Sequence, residues 1–217
     1  MRVSENLRLY KFYDSKYALD NLRQRRLKVS TLNDLNDPFE FFGFHFRDTT
    51  SRRAWEITRN SIFSGKGIIC FCQSWDNPLV WSHYADKHFG LAIGFDVPKH
   101  VTTIVNYQRE LEESPSLTSM TRAERLQVVE KSLCSKFIHW QYENEVRVFV
   151  ECDEKCPETD LYFKNFETDL KPREVIIGPR SNVTSGELQS IPHMEHINIV
   201  HAELAFDSYR VVRQKQA

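Results

Sequence analysis

The chain has 217 residues, 41% hydrophobic and 27% charged, which suits one packed domain spanning residues 1–217. Its 29 basic and 30 acidic residues leave a formal net charge of −1, which excludes a histone-like polycation but leaves room for a local basic groove. With 7 Gly and 8 Pro, collagen-like and linker-like architectures are excluded too.

In chain order, residues 7–12 read as a short strand, with Leu7, Leu9 and Lys11 toward one face. Asp14-Ser15 opens a helix striped by Tyr17, Ala18, Leu19 and Leu22, and Arg23, Arg25 and Arg26 crowd its C-terminal end, where cations suit the dipole. Residues 27–30 return as a strand. Turn formers Asn33-Asp34 and Asn36-Asp37-Pro38 then precede an aromatic run, Phe39, Phe41, Phe42, Phe44 and Phe46. A helix is expected over 51–63, a buried strand over 67–72 and a short helix over 78–88 with Pro78 in its first turn. Strands follow at 91–95 and 104–107. A long helix then starts at Thr121, whose spacing to Glu124 matches a capping box, and Leu126, Val129, Leu133 and Phe137 form its apolar stripe. The last third reads as strands at 145–151, 161–166, 174–177, 197–200 and 209–212, with a brief capped helix at 184–187. Strands and helices mix without strict alternation. The expected fold is therefore α+β, with a split or strongly bent mixed sheet flanked by helices.

Five cysteines, Cys70, Cys72, Cys134, Cys152 and Cys156, make an odd and scattered set, which favours a reducing cytoplasm over a disulfide framework. The opening MRVSENLRLYKFYD has no apolar core of signal-peptide length, and nothing approaches a membrane span. Residues 8–28 hold seven basic side chains against Asp14 and Asp20, which suits phosphates but more often marks a solvated face.

Two clusters carry candidate chemistry. In Asn77-Pro-Leu-Val-Trp81-Ser-His83-Tyr84-Ala-Asp86, helical spacing puts Trp81 and Tyr84 on one face, fit either to stack a nucleobase or to plug a core. In Trp140-Gln-Tyr-Glu143-Asn-Glu145-Val-Arg147, strand periodicity puts Glu143, Glu145 and Arg147 on one face. There Arg147 would hold one carboxylate while the other stays available for a ribose hydroxyl or a developing cation; the bland alternative is a solvated salt-bridged face. Cys70, Cys72, His83 and His88 are metal-ligand types, but Cys-x-Cys is tighter than structural zinc spacing, and no metal is expected. Asp37, Glu40, Glu143 and Glu145 offer carboxylates to a magnesium nuclease, but Arg147 stands where such a site carries a lysine.

The ordered set Leu9-Tyr10-Lys11-Phe12, Asn36-Asp37-Pro38-Phe39-Glu40, Cys70-Phe71, Trp81-Ser-His-Tyr-Ala-Asp86 and Tyr142-Glu-x-Glu-x-Arg147 resembles a widespread bacterial family long labelled a domain of unknown function. The opening strand, helix and Leu27-Lys-Val-Ser30 strand also resemble the start of ADP-ribosyltransferase-like domains, which bind NAD in a cleft between two small sheets. That second resemblance implies NAD as substrate, with Lys11 (beside Tyr10) at the first-strand position usually held by His or Arg. It implies Tyr84 stacking the nicotinamide, and Glu143 or Glu145 as the late acidic residue. Trp81 and Arg147 would support the nucleotide, and Asn36, Asp37 and His83 would orient the acceptor or the second ribose. The resemblance further implies a transferase modifying nucleic acid or protein in a bacterial defence or toxin-type setting, restrained by an antitoxin or neighbouring subunit if toxic. A non-catalytic nucleotide-sensing module of a defence system is the alternative, with the metal nuclease behind it.

Overall fold

A computed structural model describes residues 5–114, 121–167 and 169–215. The strands are β1 (Asn6–Tyr13), β2 (Arg26–Val29), β3 (Phe44–His45), β4 (Lys66–Cys72), β5 (Leu91–Pro98), β6 (Thr103–Ile104), β7 (Asn106–Gln108) and β8 (Glu112–Glu113). They continue with β9 (Ser135–Phe137), β10 (Glu145–Glu151), β11 (Tyr162–Asn165), β12 (Lys171–Ile177), β13 (Asn198–Leu204) and β14 (Val211–Arg213). The helices are α1 (Ser15–Gln24), α2 (Thr49–Ile62), α3 (Pro78–Tyr84), α4 (Arg122–Cys134) and α5 (Ser185–Gln189). The fold is mixed α+β, built on a large curled sheet of eight strands in the order β14-β13-β12-β5-β1-β4-β10-β6. Its ladders are antiparallel except β12–β13.

Period-2 patterning gives this sheet two buried faces. Leu9, Phe71, Ile93, Phe95, Val146, Val148 and Val175 face one core, which α1 caps with Ala18, Leu19 and Leu22 and α5 with Leu188. Tyr10, Phe12, Cys72, Ala92 and Ile176 face the other, which α3 covers with Val80 and Trp81. A third cluster joins Phe41 and Phe63 to Ile68 of β4. Local chemistry sets the helix starts. Asp14, Asp48, Asn77, Thr121 and Thr184 each accept a first-turn N–H as N-cap, and Pro78 occupies the first turn of α3.

The sheet divides in its middle. β1 pairs with β5 from Asn6↔Pro98 to Tyr13↔Leu91, but it meets β4 only at Tyr10↔Cys72. Beyond that pair the two strands part, and the gap is the mouth of a cleft. Gly94, opposite Tyr10, keeps this junction tight: a Cβ there would lie 2.8 Å from Glu174 Cγ and 2.9 Å from Tyr10 Cε1.

Three expectations need correction. The helix from Thr121 keeps its capping box but ends at Cys134, because Ser135 turns extended while its hydroxyl bonds Lys131 O at 2.7 Å. Phe137 therefore lies on β9, and both Phe137 and Leu126 are exposed, so no apolar stripe runs along that helix. The strand expected at 104–107 breaks at Val105, since β6 pairs with β10 whereas β7 pairs in parallel with β9. The helix expected to reach His88 stops at Tyr84; Asp86, Lys87 and His88 all take left-handed backbone (φ 45°, 52° and 76°). Four of the seven basic residues of the 8–28 stretch make ion pairs, Arg8 with Asp96 and Glu174, Arg23 with Glu187, Arg26 with Asp20 and Lys28 with Asp34, while Lys16 and Arg25 face solvent.

Candidate functional site

The cleft at the split has a volume of about 240 Å³. β1 supplies Tyr10 and Lys11 to its lining, the loop before β3 supplies Asn36 and Glu40, and β4 supplies Cys70 and Cys72. α3 supplies Tyr84, β9 supplies Lys136, and the 3₁₀ turn Ile138–Glu143 with β10 supplies Glu143 and Glu145. Seven chain segments thus converge on one hollow.

Its floor is a buried ionic cluster. Lys136 Nζ donates to Glu143 Oε2 at 2.6 Å and Glu145 Oε2 at 2.8 Å, and lies 3.8 Å from Glu40 Oε2. Arg147, with side-chain exposure of 1%, donates Nε–H to Glu145 Oε1 at 2.9 Å, Nη1–H to Leu133 O at 2.7 Å and Nη2–H to Glu40. The Phe41 ring faces its guanidinium at 5.1 Å. Three carboxylates therefore stand against two cations, one formal negative charge in excess. Asn144, in left-handed backbone at φ 44°, turns the chain so that residues 143 and 145 reach the same cluster.

Desolvation and charge compete here. Burial raises Glu145, but the Arg147 and Lys136 charges outweigh it and bring its pKa down to about 2. At Glu40 burial wins over the same two cations, and the pKa rises. Lys136 is held above the ordinary lysine range, because Glu145, Glu40 and Glu143 outweigh its burial. Lys11, whose Nζ donates to Cys70 O at 3.1 Å, is lowered by burial. The Cys70 and Cys72 thiols are raised by burial and then by the neighbouring glutamates, so they stay protonated at neutral pH and are poor nucleophiles.

Glu143 holds the central place. Its Oε1 accepts from the Tyr84 hydroxyl, which in turn accepts from Asn36 Nδ2 at 3.2 Å, and its Oε2 accepts from Lys136. Burial and then Glu143 push the Tyr84 hydroxyl upward, so it remains a donor. The arrangement fixes one carboxylate at the edge of a hollow, between a hydroxyl donor and an ammonium.

Of the residues singled out in the sequence, Glu143, Glu145, Tyr84, Tyr10, Lys11 and Asn36 line the cleft. Arg147 lies beneath it, holding Glu145 and Glu40, and neither it nor its face is solvated. The idea that Arg147 leaves the other glutamate free is corrected: Glu143 is engaged by Lys136 and Tyr84. Trp81 is no stacking platform. It is fully buried, edge-on to Phe12 at 5.1 Å, with its indole N–H on Trp75 O. Asp37 closes its own turn by accepting Phe39 N–H at 2.8 Å. His83 is exposed beside Tyr142, outside the lining. Tyr10 sends its hydroxyl away from the cleft to Glu174 Oε1 at 2.9 Å. Lys136 is the cleft residue the sequence pattern did not mark, since position 136 fell inside an expected helix.

Among the described residues no group of three or more His, Cys, Asp or Glu side chains is arranged to hold a metal ion, and all five cysteines are free. Glu40, Glu143 and Glu145, offered above to magnesium, are instead gathered around Lys136 and Arg147. No helix among the described residues is long and apolar enough to cross a membrane. Comparison with protein-family models, curated proteins and solved structures finds no match to this chain.

Proposed function

We propose that the cleft is the active site of an ADP-ribosyltransferase-like enzyme that consumes NAD and passes the ADP-ribosyl group to a nucleic acid or protein, in the defence or toxin-type setting its sequence resemblance implies. The observation that carries this reading is Glu143: a buried carboxylate on the cleft wall, oriented by Tyr84 and Lys136, in a cluster with excess negative charge.

The chemistry follows from that charge. Breaking the ribosyl C1′–N bond sends its electron pair to the nicotinamide, which leaves neutral, and puts positive charge on the ribose as an oxocarbenium ion. Glu143 stabilises that developing charge and orients the 2′-hydroxyl. The acceptor then forms its new bond to C1′ and sheds its proton to solvent. Tyr84 fixes the carboxylate, and Lys11 faces the diphosphate as a point charge. The geometry favours Glu143 over Glu145, because Arg147 and Lys136 hold Glu145 with two cations, whereas Glu143 is held by one cation and the neutral Tyr84 hydroxyl.

The test is nicotinamide release from NAD, with and without DNA, RNA or cell lysate. Glu143→Gln should lower turnover by about 100-fold or more while the protein stays folded. Glu145→Gln should act mainly by weakening the fold. No release under any condition, with no NAD binding in calorimetry, would overturn the reading. One observation favours a second reading, a nucleotide-sensing module without catalysis: both Glu143 oxygens are already paired. Saturable NAD binding with no nicotinamide release would select it.

A further inference from the structure

A second hollow of about 260 Å³ lies on the far side of Lys136, which lines it as well as the cleft. Its other walls are Phe39, Phe42, Leu111 and Phe137, joined by Gln108, Arg109 and the carboxylate of Glu110. Three features set it apart from an ordinary surface dimple. Phe39 and Phe137 are 62% and 44% exposed, so two aromatic rings stand in water beside one concavity. Phe137 is already backed by the His139 ring, with centroids 4.5 Å apart and planes at 29°, and Phe42 by the Arg59 guanidinium at 4.8 Å. Gln108 is pinned by Nε2–H to Gly43 O at 3.0 Å, which leaves its buried Oε1 with no hydrogen-bond partner.

Apolar walls alone would suit any greasy group. An orphaned amide oxygen among them asks for a flat ring that carries an N–H donor. Arg109, exposed beside it, makes no ion pair among the described residues and so is available to a phosphate. β7 and β9 pair Gln108 with Phe137, so the amide and the ring are held in register by backbone hydrogen bonds.

We propose that this pocket is a nucleobase subsite: the base lies against the Phe39 and Phe137 rings, gives its N–H to Gln108 Oε1 and places its phosphate near Arg109. The amide oxygen is occluded, so the base reaches it when the Gln108 amide turns and exchanges its bond to Gly43 O for the one to the base. The assignment rests on the nucleotide reading of the neighbouring cleft for its purpose, and Lys136 is the partition between the two. Two sources present the same chemistry, the adenine of NAD itself or a base of the acceptor.

Calorimetric titration with AMP, GMP, CMP and UMP tests the subsite without requiring turnover. At least one should bind saturably, and Phe137→Ala and Phe39→Ala should each weaken it by about 10-fold, the scale of one lost base–aromatic stack. Both rings are exposed, so thermal melting of these variants should stay near that of the parent. Arg109→Ala should weaken binding and flatten its salt dependence. If NAD displaces the bound mononucleotide, the subsite takes the adenine of NAD; if both bind together, it takes the acceptor base. No saturable binding of any of the four, or binding indifferent to both Phe substitutions, would overturn the proposal. Phe137-dependent binding without nicotinamide release would sink the transferase reading alone, whereas release with indifferent Phe variants would sink the subsite alone.

Discussion

Replacing Lys136 by Met is the sharpest test of how the cleft floor is held. Met keeps most of the length and apolar volume of lysine, so the loss is chiefly electrostatic. Three buried carboxylates would then face Arg147 alone, where two cations faced them before. Removing one partner from a buried ionic group costs about 3–5 kcal/mol, because the remaining charges stay desolvated. For a chain of this size that is a fall in Tm of about 6–20 °C. Urea titration gives the free energy directly, with an unchanged m-value as the check that both states keep their compactness. The pH dependence has a definite sign. Without the Lys136 charge, Glu40 and Glu145 bind protons more readily in the folded variant than in the folded parent, while the unfolded chains titrate alike at these positions. The deficit against the parent therefore shrinks as pH falls and should be smaller at pH 5 than at pH 8. Adding Glu143→Gln restores the original charge excess and should recover about 1–3 kcal/mol as coupling energy. A deficit below about 1 kcal/mol, or one that grows on acidification, would refute the reasoning.

Glu145→Gln should flatten the acid limb of the stability curve: the carboxylate, brought from an ordinary 4.5 to about 2, contributes about 3 kcal/mol that is present above pH 4.5 and lost as pH falls toward 2. Glu40, raised by burial, works in the opposite sense, so urea unfolding between pH 2 and 6 should show the change only against a Glu40→Gln control. Gly94→Ala forces a Cβ to within 2.9 Å of the Tyr10 ring and should cost about 1–3 kcal/mol in thermal unfolding while disturbing nucleotide binding in the cleft. Trp81→Phe should lower stability but leave nucleotide affinity within about 2-fold, since Trp81 lies wholly in the core; a clear loss of affinity in calorimetry would return it to the site.

Local patterning carried much of the fold. The alternation through Glu145, Val146 and Arg147 placed both charged side chains on one face of β10, and Asp14, Pro78 and the Thr121/Glu124 pair marked true helix starts. What patterning could not supply was the company those side chains keep. Arg147 reads as a solvated strand residue until Glu40, more than a hundred positions earlier, folds over it. Lys136 was hidden because Leu126, Val129, Leu133 and Phe137 match helical spacing; the helix ends early, and β9 exists only because β7 pairs with it. Trp81 and Tyr84 illustrate the same limit in one turn of helix. Their spacing gives a shared face, but only the depth of α3 against Phe12 decides that one becomes core and the other reaches Glu143.

Stability gives no reason for this cluster. Well-packed apolar residues of similar volume replace buried ion groups without loss in many proteins, and often with gain. Here the fold gathers five ionisable side chains and covers them with the loop that carries Asn36 and Glu40. Asn36 bonds Tyr84, Tyr84 bonds Glu143, Glu143 bonds Lys136, and Lys136 is shared with the second hollow. The chain of bonds thus runs from the exposed Asn36 to Lys136, a lining residue common to both hollows. A packed interior has no use for such a chain. The proposed transferase chemistry gives it a use: carboxylates held in fixed orientation beside a cavity would act through their field on a cation formed there.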